Sequence, residues 1–196
     1  MTEPLEIERK FLIHMPEEAL LRRCVVQWDI EQTYLLSPPG ISARVRRRTG
    51  PREQFFYTEK ERISDRSCVE REREIDAQEY GALLQRRDPG RVTLRKRRYV
   101  LPWAGLDFEI DVYPFWQRIA VLEVELEREE QDVALPPQLR VLREVSGDWR
   151  LKNAALAGHV PPEEELLAEI EKDAPFSLQG PEDCATIHRN EARKRQ

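Results

Sequence analysis

The chain has 196 residues, 35% of them charged and 40% hydrophobic, with a formal net charge of −5. That length suits one domain with a tail, with enough apolar residues for one core. The net acidity excludes nucleic-acid binding by bulk attraction. Cys24, Cys68 and Cys184 lie far apart, odd in number and without CxxC spacing. They suggest neither a disulfide framework nor a zinc site, and they fit a reducing compartment. No apolar leader opens the sequence, and no stretch approaches the roughly 20 apolar residues of a membrane span. The expected setting is therefore the cytoplasm, with no membrane partner.

Residues 6–11, EIERKF, alternate strictly. In a strand, Glu6, Glu8 and Lys10 share one face and Ile7, Arg9 and Phe11 the other. PEEALLRRCV at 16–25 places a proline near a start and apolar residues at helical spacing, which predicts a helix. QTYLL at 32–36 reads as a strand and SPPG before Ile41 as a turn. In ISARVRRR, Arg44, Arg46 and Arg48 share a face against Ala43, Val45 and Arg47. FFYTEKER puts Phe56, Thr58, Lys60 and Arg62 together, and VEREREI sets Glu70, Glu72 and Glu74 against Val69, Arg71, Arg73 and Ile75. DAQEYGALLQRR predicts a helix with Asp76 as its cap. After the RDPGR turn, TLRKRRYVL sets Lys96 and Arg98 on one face with Leu94. PWAG then turns into DFEIDVY, where Asp107, Glu109, Asp111 and Tyr113 oppose Phe108, Ile110 and Val112. VLEVELE opposes Glu123, Glu125 and Glu127 to Leu122, Val124 and Leu126. PPEEELLAEIEKD at 161–173 predicts a helix with acids in its first turn, and beyond about residue 175 the text reads as a tail.

About eight strands with turn chemistry between them predict a mainly β, α+β fold, antiparallel and built of hairpins. On any one strand a charged face is most simply the wet one. Taken together, the strands sort their charges by sign. Arg and Lys dominate at 44–62 and 96–98, while carboxylates dominate at 6–8, 70–74, 107–111 and 123–127. A solvated face has no need of that sorting. A closed eight-stranded barrel with a polar interior does, because buried like charges are costly unless paired or holding ions. The ligand that fits is a polyanion carrying divalent cations. Arginine matches phosphate oxygens with a planar fork, and carboxylates supply hard oxygen to Mg²⁺ or Mn²⁺. There is no GxxxxGK[ST] or GxGxxG, so phosphate would be held without a P-loop. The run Arg44–Arg48 read alone suggests a nucleic-acid patch, but the acidic strands rank that reading lower. Glu127–Glu130 read as a solvated strand end, Glu70 and Glu74 as interior or merely paired, and the four tryptophans as packing.

EIERK at the N-terminus resembles the signature of the CYTH superfamily, the triphosphate tunnel metalloenzymes. QTYL, RVR, TEK, EREI, KRRY, FEIDVY and LEVEL follow in family order, and DWRLKNAALA at 148–157 resembles the closing segment, with Leu151 where the family often has tyrosine. The resemblance implies a closed triphosphate tunnel over residues 1–157, followed by a C-terminal helix and tail over 158–196. It implies metal carboxylates at Glu6, Glu8, Glu72, Glu109, Asp111, Glu123 and Glu125. It implies phosphate ligands at Arg44, Arg46, Lys60, Lys96, Arg98 and Arg150. Lys10 and Tyr34 resemble the Lys–Tyr pair of short bacterial members that favour inorganic triphosphate. A lysine desolvated among cations would have a depressed pKa and help activate water. The expected activity is metal-dependent hydrolysis of inorganic triphosphate to pyrophosphate and phosphate, by a monomer or homodimer that binds no nucleic acid. The alternatives are an adenylate cyclase or a thiamine or nucleoside triphosphatase on the same fold, or a polyphosphate-binding module with little turnover.

Overall fold

The computed structural model describes residues 5–63 and 67–173. Nine strands build it: β1 Leu5–His14, β2 Val26–Tyr34, β3 Ile41–Thr49, β4 Glu53–Arg62, β5 Ser67–Ile75, β6 Leu94–Trp103, β7 Leu106–Val112, β8 Ile119–Leu126 and β9 Val141–Glu144. They form one antiparallel sheet in the order β5-β4-β3-β2-β6-β7-β8-β1-β9. The mainly β, antiparallel character predicted from the alternation is met. The closed eight-stranded barrel is not what this order describes. Its outer members are β5 and β9, and the one link across is a three-residue β1–β5 pairing at Leu5↔Val69, Glu6↔Cys68 and Ile7↔Ser67. Beyond Ile7 the β1 backbone turns to other partners. Lys10 accepts from the Val145 N–H and donates its own N–H to Ser146, and Phe11–Ile13 pair with β9.

Two expectations are corrected. The strand expected at 32–36 runs from Val26 to Tyr34, and its charged residues Asp29 and Glu31 pair across the sheet with Arg97 and Arg95 of the neighbouring β6. The helix expected over 16–25 is the short α1, Glu18–Leu21, because Val25 already bonds its N–H to Val100 of the sheet. The helix after Asp76 is α2, Ala77–Leu84, and the Asp76 side chain accepts the Glu79 N–H as an N-cap should. PWAG is a two-residue hairpin: Ala104 at φ 51° and Gly105 at φ 81° give the doubly positive turn that matches strand twist. The closing segment holds a single 3-10 turn, Trp149–Leu151, then α3, Asn153–Leu156, and α4, Glu163–Asp173. None of the described helices is long and apolar enough to cross a membrane.

The apolar core lies mostly on the outside of the sheet. Ile7, Phe11, Ile13, Phe108, Ile110 and Leu122 form one buried cluster, and Ala43, Val45 and Ile75 another beneath α2. The opposite face is charged until its far end. There Leu12, Leu94, Tyr113 and Val121 pack with Leu151, Leu156 and Leu166, so the closing segment and α4 form an apolar floor. Glu163 ties α4 to that floor: its carboxylate accepts the N–H groups of Gln117, Arg118 and Ile119.

Candidate active site

The alternation that hides Val45 under α2 turns Arg44, Arg46 and Arg48 the other way, into a cavity of about 540 Å³. Lys60 of β4 and Lys96 and Arg98 of β6 line it too. From β1 come Glu8 and Lys10, from β5 Glu70 and Glu72, from β7 Glu109, and from β8 Glu123 and Glu125. Tyr34 of β2 completes the expected set. Asp111 lies fully buried behind the wall, bonded to Lys96 and Arg98. Sequence reasoning from eight separate strands is thus gathered in one place.

Most of these acids are matched to a base. Arg98 is the hub, reaching Asp111 at 2.7 Å, Glu123 at 2.6 Å and Glu109. Lys10 lies 2.6 Å from Glu123 and 3.8 Å from Glu8, and Arg46 lies 2.9 Å from Glu72. Lys60 pairs with Glu70, which also stands 3.7 Å from Arg44. Two pairings run against this rule: the registers set Glu8 directly opposite Glu125 and Glu109 directly opposite Glu123. Like charges facing each other across neighbouring strands are destabilising. Among the described residues no three acids or histidines converge as a metal cage.

The electrostatics follow from burial and neighbours. Burial alone would lower the Lys10 pKa, but Glu123 and Glu8 outweigh it and hold the ammonium above its ordinary value. The expectation of a depressed Lys10 among cations is therefore corrected, because its nearest charges are carboxylates. The lysine that is lowered is Lys96, by burial and then by Arg98. Burial and the guanidinium of Arg44 pull Arg46 down to about 10. Its Nε, buried, has no hydrogen-bond partner among the described residues. Burial pushes the Tyr34 phenol up, so it keeps its proton. Its oxygen accepts from Gln32 Nε2 at 2.7 Å, which leaves the hydroxyl hydrogen to be donated elsewhere.

Two expected residues stand apart. The Glu6 side chain lies outside the described residues, although its backbone is in β1. Arg150 does not line the cavity and is forked onto Asp148 and Glu169, with distances of 2.7–3.1 Å. The cation that does reach the cavity from this segment is Lys152, 3.5 Å from Glu8. No alternation marks it, because it follows a 3-10 turn rather than lying in a strand. Trp28 and Ile30 also line the wall and were missed with the first half of β2, and Gln32, inside the expected strand, was not singled out.

Neither a scan of protein-family models nor a search of curated proteins gives a match. Solved structures do match. The crystal structure of the inorganic triphosphatase NE1496 is 30% identical, covering 80% of this chain and 96% of that one, with a TM-score of 0.52. A second structure of NE1496 covers 80% and 99% at the same identity, with a TM-score of 0.49. HpAC1 from Hippeastrum, described as having a dominant triphosphatase activity, is 17% identical over 63% of this chain and 81% of its own, with a TM-score of 0.44.

Proposed function

We propose that this chain, which belongs to the CYTH superfamily of triphosphate tunnel enzymes, hydrolyses inorganic triphosphate to pyrophosphate and phosphate with a divalent metal ion. One observation carries the reading: charge is sorted by sign around a single cavity. Arg44, Arg46, Lys60, Lys96 and Arg98 supply donors, while Glu8, Glu72, Glu109, Glu123 and Glu125 supply hard oxygen. A lone anion site would need the first set only. In this reading the three-pair contact of β1 with β5 shuts the sheet into an eight-stranded tunnel around the substrate.

Mg²⁺ or Mn²⁺ fits the residues present. The facing pair Glu8–Glu125 gathers two carboxylates at one point of the wall, hard oxygen of the kind such ions take, whereas Glu109 and Glu123 already share Arg98. Magnesium is commonly held by one or two carboxylates plus substrate phosphates, so a full protein cage is not required. Such an ion would neutralise charge on the phosphoryl group being transferred. The protein groups do the rest. Arg44 and Arg46 hold phosphate oxygens in place, and the buried Arg46 Nε gains the partner it otherwise lacks. Lys10, kept protonated beside Glu123, places a positive charge over the reacting end. Tyr34 donates its hydroxyl hydrogen to orient water or a phosphate oxygen. Water attacks the terminal phosphorus, the bridging P–O bond breaks, and pyrophosphate leaves with its electron pair.

The test is phosphate release from triphosphate, ATP, thiamine triphosphate and long polyphosphate, with Mg²⁺ or Mn²⁺ and with chelator. Metal-dependent release, strongest from triphosphate, supports the proposal. Cyclic AMP plus pyrophosphate from ATP would make it a cyclase. Binding of triphosphate without release from any substrate would make it a binding module.

A further inference from the structure

Gln32 is a neutral amide in a wall of charges. It lines the cavity and is only 2% exposed. Ile30 and Tyr34, two residues away on β2, line the same cavity. Arg46 stands opposite Gln32 on β3, and Leu94 of the floor stands opposite it on β6. One end of the amide is used: Nε2 donates to the Tyr34 oxygen at 2.7 Å. The other end is not. Among the described residues Oε1 has no hydrogen-bond partner. Nor is it sealed off, as the orphaned Arg46 Nε is. The sliver of surface that Gln32 keeps therefore includes this oxygen and opens to the cavity. An acceptor so nearly buried needs a donor.

The phenol beside it has the opposite need. Its oxygen accepts from Gln32 and also from Arg44, directly opposite on β3. Both lone pairs are then taken, and the hydroxyl hydrogen is left to be given away. Acceptor and donor stand side by side, held by the bond between them. One molecule with hydrogen bonds of about 2.8 Å can touch both. A phosphate oxygen could take the Tyr34 hydrogen but would meet the Gln32 oxygen lone pair to lone pair. A metal ion could use the Gln32 oxygen, but not beside a hydroxyl hydrogen and the Arg44 guanidinium. Water suits both groups, because it donates to one and accepts from the other.

We infer that Gln32 Oε1 and the Tyr34 hydroxyl together hold the water that attacks the terminal phosphorus, with Gln32 as a further catalytic residue that aims it. This rests on the triphosphatase reading for the presence of such a water. One hydrogen of the water goes to Gln32, and one lone pair takes the Tyr34 hydrogen. The second lone pair is left for phosphorus. As the new P–O bond forms, the bridging one breaks, pyrophosphate leaves with its electron pair, and the second hydrogen passes to a phosphate oxygen. The amide is too weak a base to take a proton; it fixes direction, as glutamine does for the attacking water in other phosphoryl-transfer sites.

The experiment measures kcat and KM for inorganic triphosphate with Mg²⁺ on the full chain. Gln32→Met keeps the length of the side chain and removes its acceptor. Its kcat should fall about tenfold or more, as for one lost hydrogen bond to a buried group, while KM stays within about twofold. Tyr34→Phe should fall likewise, and the double variant no further than the worse single one, because both release the same water. Circular dichroism confirms that each variant is folded. If Gln32→Met does not fold, Gln32→Asn, which withdraws the same amide by one methylene, carries the comparison. A KM that rises as far as kcat falls would make the amide a phosphate ligand. Unchanged constants would make it part of the wall, and losses that multiply in the double variant would part it from Tyr34. Each of these overturns the inference alone. A wild type that releases no phosphate overturns the function proposed above, and the attacking water with it.

Discussion

Lys10 and Glu123 face each other in register across β1 and β8, with the ammonium 2.6 Å from the carboxylate in an almost wholly buried site. The pair joins the residue types expected to bind phosphate and metal, so loss of either is felt by both. Lys10→Ala removes the charge over the reacting end but leaves Glu123 its contact with Arg98. Turnover should fall about a hundredfold or more, in the range for loss of a fixed donor aimed at transition-state charge, while triphosphate Kd changes by less than about tenfold. Equal losses in kcat and affinity would reduce Lys10 to an ordinary phosphate ligand.

Arg46→Met tests ground-state binding. The substitution keeps bulk against Phe56, whose ring lies 5.1 Å from the Arg46 guanidinium, but removes every donor. The triphosphate KM should rise about ten- to a hundredfold, as expected for one or two lost hydrogen bonds to a charged group. A KM within twofold of the wild type would place the phosphates elsewhere.

The facing carboxylates of Glu8 and Glu125 predict a response to metal in the absence of substrate. Mg²⁺ should raise the melting temperature of the wild type, and Glu8→Gln or Glu125→Gln should raise the metal-free melting temperature while abolishing the added gain. Chelation should stop phosphate release in all of them. A metal-independent melting curve combined with full activity in chelator would remove the ion from the proposal.

Acid should loosen α4 first. Glu169 is drawn to about 2 by the Arg150 fork, and Glu163, despite partial burial, lies below its ordinary value through three backbone N–H groups. Both folded pKa values are depressed. Their stabilisation is therefore complete above the unfolded carboxylate range of roughly pH 4–5 and drains away as pH falls through the folded values. Glu163→Ala should cost about 1–3 kcal/mol at neutral pH. Glu169→Gln should flatten the loss of stability between about pH 5 and 2 in denaturant titrations. A wild-type acid slope retained in both variants would assign the effect elsewhere.

Alternation is a strong signal where every second residue is charged and the rest are apolar. That is why β3, β7 and β8, and the grouping of Arg44, Arg46, Glu109, Glu123 and Glu125, could be read from the chain. It fails where both faces carry charge. Asp29 and Glu31 disguise the start of β2 because their partners, Arg97 and Arg95, come from a strand nearly seventy residues away. The four-residue β9 exists only because β1 needs a neighbour after parting from β5, and nothing local specifies it. Arg150 was expected in the cavity and Lys152 was not, because the 3-10 turn that holds Arg150 and precedes Lys152 follows neither period. The structure settles their placement through Asp148 and Glu169, which hold Arg150 away from the cavity.

The partners of β1 have a consequence for how the chain reaches this state. Its first strand is bonded along one edge to β8 and along the other to β5 and then β9, so Lys10 waits for Glu123 and Leu12 for Arg143. Hairpins such as β6–β7 can zip as soon as their two-residue turn forms, but β1 has no local mate: its first three paired residues wait for β5, about sixty residues on, and the rest for β8 and β9, more than a hundred residues on. Contacts so distant in sequence slow folding, and an alternating strand left open meanwhile is a surface to which other chains can add. During synthesis the segment that brings Lys10 to the cavity is thus the chain's longest-exposed edge, and its charges, which serve the finished site, also keep that edge soluble until its partners arrive.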